Sequence, residues 1–419
     1  MQTKAHRRIR DHEVPCPAPE TARETVQEGI LEGVLEEVLE ELASVLFTSL
    51  PRSDQRRKGV EYVQGLLGAE GRKSIRNISS LFGGEAAEQS LHHFISGSTW
   101  DWEPVRRALA RHLEKLSPAR AYVLRPMVIP KAGDNSVGVD RHFFRSRGQV
   151  MNAQQAVGVW AASDEHSTPV NWRLHLPETW LEDETRRRQA AIPETLRPET
   201  LDQAGVAAYL DITRDWGLPV RPVVMDAREA DVTDTVRRLR TAGAPMLLRV
   251  AADLRLSAVD LGMPYTGGGM EMTARQLMLV ARPLCQPVIV RYPGSTADAV
   301  YTGLTATVQV RLSQHPVRRP ARPRDLRLLG VGENGGRWPA ELWLTDIADL
   351  HPAHLLRLTR LTRRVDRDFT RIADRVGIRD FSGRSYSGWH RHVTLASAAH
   401  AIAMLSGTAR SVREAARAS

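Results

Sequence analysis

Few residues in this 419-residue sequence have the spacing of a known catalytic or metal-binding motif. Neither the phosphate-binding pattern G-x-x-x-x-G-K-[ST] nor the nucleophile pattern G-x-S-x-G occurs. The histidine pairs at 92/93, 351/354 and 390/392 lack acidic or cysteine partners at metal-ligand spacing. Cys16 and Cys285 are too few and too isolated for a disulfide framework or a zinc site. Chemistry must therefore be sought in residues that are unusual for their local structure.

One such pair is Arg125 and Pro126, in the stretch Ala121–Phe144 (AYVLRPMVIPKAGDNSVGVDRHFF). An apolar run from Tyr122 to Ile129 leads into a Pro-Lys-x-Gly turn, and a second alternating run follows. This pattern predicts a β-hairpin. A charge and an imino acid without an N–H are unfavourable in a central strand. Their position in the middle of the first strand therefore needs an explanation.

The elements around the hairpin indicate an α/β core whose first part covers residues 118–249. Strand-like runs at 121–129, 136–144 and 153–162, followed by TPVNWRLHL, predict an antiparallel meander. A helix at 201–216 then precedes a buried strand in LPVRPVVMDA, which ends at Asp226. A further helix at 230–242 precedes APMLLRV. Alternation of helix and buried strand is typical of an α/β domain.

The region before the core predicts an all-α domain at residues 21–117, after a disordered tail at 1–20. Helical periodicity covers 21–50 and 56–67, and Asp101 can cap a helix that starts near Glu103. Two short helices separated by Gly83 and Gly84 resemble a helix-turn-helix, a possible DNA-binding element. An ordinary helical bundle is the preferred interpretation of the same pattern.

The region after the core predicts a β-rich insertion at residues 250–345. Short strands are expected in PYTGGGM, CQPVIVRYP and AELWLT, with a basic strand–loop excursion in RLSQHPVRRPARPRDLRLLGVGENGGR. C-terminal helices at 346–405 would complete the core, since the apolar residues between Pro352 and Ile378 fall on one helical face. Residues 406–419 are expected to form a tail.

The composition favours an interaction with a polyanion, nucleic acid first, because the formal net charge is +9. Only five of the 58 basic residues are lysine, a skew that GC-rich coding sequence produces without selection for binding, so the charge is weak evidence. No apolar run approaches the ~20 residues of a membrane helix. The first 20 residues lack the apolar core of a signal peptide. We therefore expect a cytoplasmic protein without membrane contact.

The order of these elements resembles that of bacterial insertion-sequence DDE transposases with an RNase H-like core, of the insertion-sequence-701 type. Local matches run in the same order over roughly 300 residues. They are YVQGLL, GRKSIRNIS, SGSTWDWEPVRRAL, IPKAGDNSVGVDRHF, NAQQAVGVWAAS, VNWRLHLPETW and RVDRDFTRIADRVGIRDFSGRSYSGWHRHVTL. The resemblance implies an α/β fold in which an RNase H-like core with a β-rich insertion follows an all-α N-terminal domain.

The resemblance also implies a site for two divalent metals, held by three carboxylates. The family has an Asp-Asp-Thr step before the Pro-Lys-x-Gly turn, and here Arg125, Pro126 and Met127 occupy it. The second acid matches Asp226 and the third, normally Glu, matches Asp366. A guanidinium ~4 Å from a unit positive charge is disfavoured by about 4 kcal/mol at an effective dielectric of 20, and a divalent ion roughly doubles this. The resemblance therefore predicts a degenerate site with two remnant acids and no resident metal.

Two basic companions of the third acid are replaced as well. The family carries an Arg four residues before this acid and a Lys seven residues after it, where this chain has Thr362 and Ala373. An alternative alignment would recruit Asp134 or Asp140 as the first acid. Asp134 lies in a turn, and Asp140 on the neighbouring strand would still leave Arg125 beside the metals.

The leading hypothesis is a domesticated or decaying transposase-like protein that binds double-stranded DNA and has lost strand transfer. The side chains expected to contact phosphate are Lys58, Arg72, Lys73, Arg76, Lys131, Arg384, His390 and Arg391. A homodimer and the absence of a cofactor are further expectations. Two alternatives stay open. One is an active, magnesium-dependent transposase with a misaligned first acid. The other is an enzyme of another class, refitted in the RNase H-like pocket.

Overall fold

The computed structural model describes residues 20–144, 148–260, 271–292, 299–312, 326–333, 336–347 and 351–418. Its first elements are five helices, several of which also pack on the last helix of the chain. They are α1 (Glu20–Leu46), α2 (Ser53–Gly68), α3 (Ile75–Ser79), α4 (Glu85–His92) and α5 (Trp102–Leu116). Asp101 caps α5 by accepting a hydrogen bond from the Glu103 backbone N–H (2.9 Å), as the sequence predicts.

A mixed β-sheet follows, and its first six strands build the core. They are β1 (Ala121–Pro130), β2 (Val139–Phe144), β3 (Gln149–Ala162), β4 (Ser167–Leu174), β5 (Val223–Asp226) and β6 (Met246–Arg249). The strand order is β2-β3-β1-β5-β6, with β4 also beside β3. Strands β1 and β3 are antiparallel, whereas β1, β5 and β6 are parallel. This topology confirms the predicted α/β class and is consistent with an RNase H-like core.

The helices between these strands are short. They are α6 (Glu178–Leu181), α7 (Glu184–Gln189), α8 (Leu201–Leu210) and α9 (Val232–Thr241). Helix α8 begins with a capping box, in which the Thr200 side chain accepts from the Gln203 N–H and the Gln203 side chain accepts from the Thr200 N–H. The helix start predicted near Leu201 therefore has a local physical cause.

The strands of the predicted β-rich insertion extend the core sheet. They are β7 (Arg255–Asp260), β8 (Glu271–Thr273), β9 (Gln286–Tyr292), β10 (Ala299–Leu312), β11 (Leu326–Glu333) and β12 (Glu341–Thr345), with α10 (Ala274–Val280) between β8 and β9. Strand β12 pairs antiparallel with β6 and so joins the insertion to the core. PYTGGGM and residues 313–325 of the predicted basic excursion lie outside the described residues.

Two helices on opposite faces of the core sheet position the candidate site. Helix α11 (Pro352–Asp368) packs on β1, β5 and β6. On α8, Gly205 approaches Leu124 so closely that an added Cβ would lie 3.4 Å from it. The next residue, Arg125, bonds to α11. Because successive side chains of a strand point to opposite faces, α8 and α11 cover opposite sides of β1.

In the part of the chain that the structure describes, three helices end in a π-helical turn, which the sequence did not predict. These turns are His93–Gly97 after α4, Asp211–Asp215 after α8 and Phe369–Ala373 after α11. The last helix, α12 (Tyr386–Ala418), runs past β4, α1, α2 and α5. The helices at both ends of the sequence are thus in contact, and the predicted domain boundaries stay predictions.

The guanidinium of Arg106, on α5, is fully buried where the N-terminal helices, β4 and α12 meet. Its Nε donates to the Thr394 hydroxyl (2.7 Å), and its Nη1 donates to the Asn171 side-chain oxygen (3.1 Å) and the Trp172 carbonyl (2.8 Å). Its Nη2 donates to Nδ1 of His390 (3.0 Å) and to the His390 carbonyl (3.1 Å). All five N–H donors of the guanidinium therefore have acceptors. Burial lowers the pKa of Arg106 to about 9, which leaves it charged at neutral pH.

Among the described residues, no helix has the length and apolar character needed to cross a membrane.

Replacing Arg106 with methionine should destabilise the protein strongly. The change keeps an apolar stem but leaves several buried acceptors unpaired, each at a cost of about 1–3 kcal/mol. We expect the free energy of unfolding to fall by at least ~3 kcal/mol, measured by urea denaturation followed by circular dichroism. The control is Arg107→Met on the same helix, where the side chain is half-buried and the expected change is within ~0.5 kcal/mol. Equal stability of the two variants would contradict the role of Arg106.

Candidate functional site

The residues singled out by the sequence lie at one edge of three parallel strands. Leu124 pairs with Met225 across β1 and β5, and Asp226 pairs with Arg249 across β5 and β6. Arg125 and Asp226 therefore follow paired positions on neighbouring strands, with Arg249 next in the same row. We call this row, together with Asp366 on the overlying α11, the acid corner.

Arg125 is held on the α11 side of the sheet by three contacts. Its Nε donates to Oδ1 of Asp366 (2.9 Å), and its Nη1 donates to the Pro126 carbonyl (3.0 Å). Its guanidinium carbon lies 3.7 Å from the centre of the Phe369 ring. Burial lowers the pKa of Arg125, whereas Asp366 opposes this effect. The guanidinium thus occupies space beside Asp366 where the resemblance places a metal-binding carboxylate.

Asp226 is paired with a different arginine. Nε of Arg228 donates to Oδ1 (2.8 Å) and Nη2 of Arg228 donates to Oδ2 (2.6 Å), which is a bidentate contact. Nη1 of Arg249 lies 3.8 Å from the same Oδ2. Burial opposes ionisation of Asp226, but the hydrogen bonds and charges of the two arginines hold its pKa below the usual range. The carboxylate therefore stays ionised with cationic partners already in place.

The acid corner continues into β12 through a third carboxylate that the sequence did not reveal. Oε1 of Glu341 lies 3.4 Å from Nη2 of Arg249 and accepts a hydrogen bond from Nη2 of Arg363 (2.7 Å). Its other oxygen accepts from Nε1 of Trp343 (3.1 Å). Arg249 is the last residue of β6, as Asp226 is the last residue of β5. This shared position at a strand end is the sequence signal that could have placed Arg249 at the corner. Glu341 and Arg363 could not be found without the pairing of β12 with β6.

The residues of the acid corner do not fit a pair of divalent metals. Four guanidinium groups, of Arg125, Arg228, Arg249 and Arg363, surround the three carboxylates of Asp226, Glu341 and Asp366. A dication ~4 Å from Arg125 would be repelled by about 8 kcal/mol at an effective dielectric of 20. In the part of the chain that the structure describes, no group of three or more His, Cys, Asp or Glu side chains could hold a metal ion.

Asp134 and Asp140, the alternative first acids, are both exposed. Asp140 pairs with Ala153 on β3, which pairs with Pro130 on β1. It is thus two strands away from β1 and five residues, or about 16 Å, along the strand direction from Arg125. At the positions of the basic companions, the Thr362 hydroxyl bonds to its own helix, and Ala373 is fully buried.

Three predicted phosphate contacts are wrong because their side chains are buried. Lys73 is 6% exposed. Its Nζ donates to the Ala69 carbonyl, and its backbone N–H donates to the Asp380 carboxylate. His390 is 3% exposed beside Arg106. Arg391 is 4% exposed and donates to backbone carbonyls of the N-terminal helical region. Charge and position in a motif pointed to a surface, but these groups stabilise helix packing instead.

Trp389, which precedes His390 on α12, is fully buried as well, and its ring meets the His390 ring edge on, with centroids 4.9 Å apart. Lys58 is compensated locally, since its ammonium lies 2.6 Å from the Glu61 carboxylate on the same helix.

The remaining predicted contacts lie on three segments of the chain that meet around Lys131. Arg72 and Arg76 are exposed at the start of α3, and Arg384 is exposed before α12. Lys131, in the β1–β2 turn, donates to the Phe381 carbonyl (2.6 Å). Burial, with a smaller effect of the neighbouring Arg72, lowers the pKa of Lys131 to about 8. We call Arg72, Arg76, Lys131 and Arg384 the basic patch.

The basic patch and the acid corner are linked through the chain after α11. Arg379 lies over the Phe369 ring that also contacts Arg125, with the guanidinium carbon 5.6 Å from the ring centre. Nη2 of Arg379 pairs with Asp374 (2.8 Å). Asp380 and Phe381 then contact Lys73 and Lys131. The corner and the patch are therefore parts of one continuous region of the molecule.

A comparison with protein families gives a match over the strands that carry Arg125 and Asp226. The family described as DDE superfamily endonuclease matches residues 45–294, a range that includes Arg125 and Asp226 and ends before Asp366. A search among curated proteins gives no match. Because the match covers more than half of the 419 residues and the core has the expected α/β topology, the chain belongs to the DDE superfamily endonucleases, a family of DDE-type transposases.

Proposed function

We propose that this chain is a transposase-like, double-stranded-DNA-binding protein of the insertion-sequence-701 type that no longer performs metal-dependent strand transfer. The observation that carries the proposal is the ion pair between Arg125 and Asp366. Two-metal catalysis needs carboxylates that bridge and orient two cations about 3.5–4 Å apart. Here the guanidinium of Arg125 stands at the position of the first carboxylate and pairs with the third, Asp366.

The family match supports DNA as the partner, and the basic patch supplies a surface for it. Arginine and lysine contacts to phosphate fix a protein on the duplex without reading its sequence. Arg371 and Arg375 add exposed positive charge in the segment of chain after α11. A DNA-binding face can outlast a catalytic centre, because the two use different side chains.

The biological role, the cellular location and the oligomeric state are predictions from the sequence. A role in repressing related elements or regulating a host locus, a cytoplasmic location and a homodimer stay predictions. The active-transposase alternative requires a first acid, and Asp140 lies too far from Asp226 to supply it. Metal-dependent nicking of DNA by the wild-type protein separates that alternative from the proposal.

Binding to duplex DNA should depend steeply on salt and on the basic patch. Each neutralised phosphate contributes about −0.9 to the slope of log K against log salt concentration. The double variant Arg72→Ala/Arg76→Ala should therefore bind more weakly and lower the magnitude of that slope by about 2. Fluorescence anisotropy with a labelled duplex at several salt concentrations measures both quantities.

The matched control is Arg52→Ala/Arg188→Ala, which removes the same charge at exposed positions outside the patch. Its slope should equal that of the wild-type protein. Equal losses in the two double variants would show that net charge, rather than the patch, holds the DNA. Absence of binding at low salt would reject the proposed function.

Metal affinity should appear when Arg125 is replaced by aspartate and not when Pro126 is. Position 125 faces α11 and Asp366, whereas position 126 faces the other side of β1. Arg125→Asp removes one cation and restores the carboxylate that the family has on the first core strand, so calorimetric titration with manganese should show binding at least about tenfold tighter than to the wild-type protein. Pro126→Asp adds the same charge on the wrong face and should bind as weakly as the wild type.

Strand transfer should not return in Arg125→Asp, because Thr362 and Ala373 provide no charge for the DNA end. Supercoiled plasmid with magnesium or manganese tests the unmodified protein. We expect no nicking. Metal-dependent nicking by the wild-type protein that Asp226→Ala abolishes would overturn the proposal and favour an active transposase.

A further inference from the structure

Strands β2 and β3 continue past the end of β1 as a two-stranded ribbon. The last residue of β1, Pro130, pairs with Ala153, so residues 149–152 of β3 pair with β2 alone among the described strands. Four residues of extended chain reach about 13 Å beyond β1. We call Arg141–Phe144 and Gln149–Asn152 the arm. The arm belongs neither to the acid corner nor to the basic patch, and the proposed function gives it no role.

The two faces of the arm differ in their packing. On one face, the half-buried rings of His142 and Phe144 meet edge on, with centroids 5.1 Å apart. On the other face, Phe143 and Val150 lie directly opposite each other and are 54% and 51% exposed. Side chains in this arrangement form one continuous apolar surface. Burial in the core accounts for neither of them, so the exposed pair is available to a partner.

The exposed pair lies on the same face of the sheet as Arg125. Directly paired residues of antiparallel strands project from one face, and side chains alternate between the faces along each strand. Ile129 of β1 pairs with Gln154, and Gln154 pairs with Val139 of β2. Counting in twos from these positions places Arg125 and Phe143 on one face, which is the face that α11 covers. The exposed pair therefore projects to the side of the acid corner and not to the side of α8.

The base of the arm is bonded to the basic patch. The Lys131 backbone N–H donates to the Asn152 carbonyl (2.8 Å), and Asn152 pairs with Arg141 on β2. Arg141 is exposed and lies two residues before Phe143, so the two side chains share a face. The exposed acid of this strand, Asp140, is on the opposite face. The face with the apolar pair thus continues the positive charge of the patch, which complements the phosphate backbone of a duplex.

We infer that the arm enters the minor groove of duplex DNA and inserts the Phe143 ring, with Val150 beside it, at a base step. Proteins that bind the minor groove contact it with Arg, Lys, Asn or Gln, and they frequently insert an apolar side chain that partly unstacks two base pairs and bends the duplex. The exposed face of the arm has this combination in Arg141, Asn152 and Phe143. The inference rests on the proposed function, because it concerns the same duplex that the basic patch contacts.

Fluorescence anisotropy of a labelled duplex with the full chain tests the apolar contact. Phe143→Ser should weaken binding about tenfold, because a contact between an aromatic ring and a base is lost. It removes no charge, so the slope of log K against log salt concentration should equal that of the wild type. Arg141→Ala should lower the magnitude of that slope by about 1. The control is Ile289→Ser on β9, where a 59% exposed apolar residue lies toward the other end of the sheet, and its binding should be unchanged.

Bending of the duplex tests insertion separately from affinity. A short duplex with a donor dye at one end and an acceptor dye at the other reports its end-to-end distance by energy transfer. Saturating wild-type protein should bring the ends closer together, since an apolar wedge at one base step bends the duplex by about 20–90°. Saturating Phe143→Ser should leave the duplex straighter, whereas saturating Arg72→Ala/Arg76→Ala should still bend it.

Val150→Ser is a second variant and should reduce affinity and bending in the same direction, and urea denaturation verifies that each variant is folded. Wild-type affinity and bending in both Phe143→Ser and Val150→Ser would overturn the inference, while weaker binding by Arg72→Ala/Arg76→Ala would leave the proposed function standing. A changed oligomeric state in sedimentation with unchanged DNA binding would assign the apolar pair to a second copy of this chain and overturn the inference too. Absence of DNA binding by the wild-type protein at low salt would reject the proposed function and the inference together.

Discussion

The fold depends on a single buried guanidinium, that of Arg106. A charge in the interior is tolerated only when its hydrogen-bonding capacity is used in full. Here the five donors end on groups of β4 and α12, which lie 65 to 288 residues along the chain from Arg106. The requirement to satisfy this one group ties α5 to the sheet and to α12. It also selects the tautomer of His390, because Nδ1 must accept the hydrogen bond from Arg106.

Local pattern was sufficient to predict most of the elements. The strand that ends at Asp226 and the helix cap at Asp101 depend on nearest neighbours in sequence, and both are present. The hairpin predicted around Lys131 is wrong, because β3 lies between β1 and β2 and pairs with both. The joining of β12 to β6 was not predictable, because antiparallel pairing between segments about 95 residues apart leaves no periodic signal in either strand.

Side-chain partners were the least predictable part of the site. Asp226 and Asp366 were identified through the family's motif, yet their counter-charges, Arg228 and Arg125, are set by three-dimensional proximity. The sequence did not indicate that Lys73 and Arg391 are buried. A basic residue in a motif has the same sequence pattern whether it contacts a phosphate or a backbone carbonyl. Only the packed position of the helices decides which group it meets.

The π-helical turn at Phe369–Ala373 changes how a motif on α11 should be counted. In an α-helix each residue turns the chain by about 100°, so a residue seven positions after Asp366 returns to nearly the same face. A π turn inserts roughly one extra residue, and the position that shares a face with Asp366 becomes 374 rather than 373. Asp374 accordingly acts on the charge of Arg125, whereas Ala373 is in the interior. The number of residues between two positions therefore predicts a shared helix face only where the hydrogen-bond register stays α-helical. The π turn after α11 shifts the shared face by one residue.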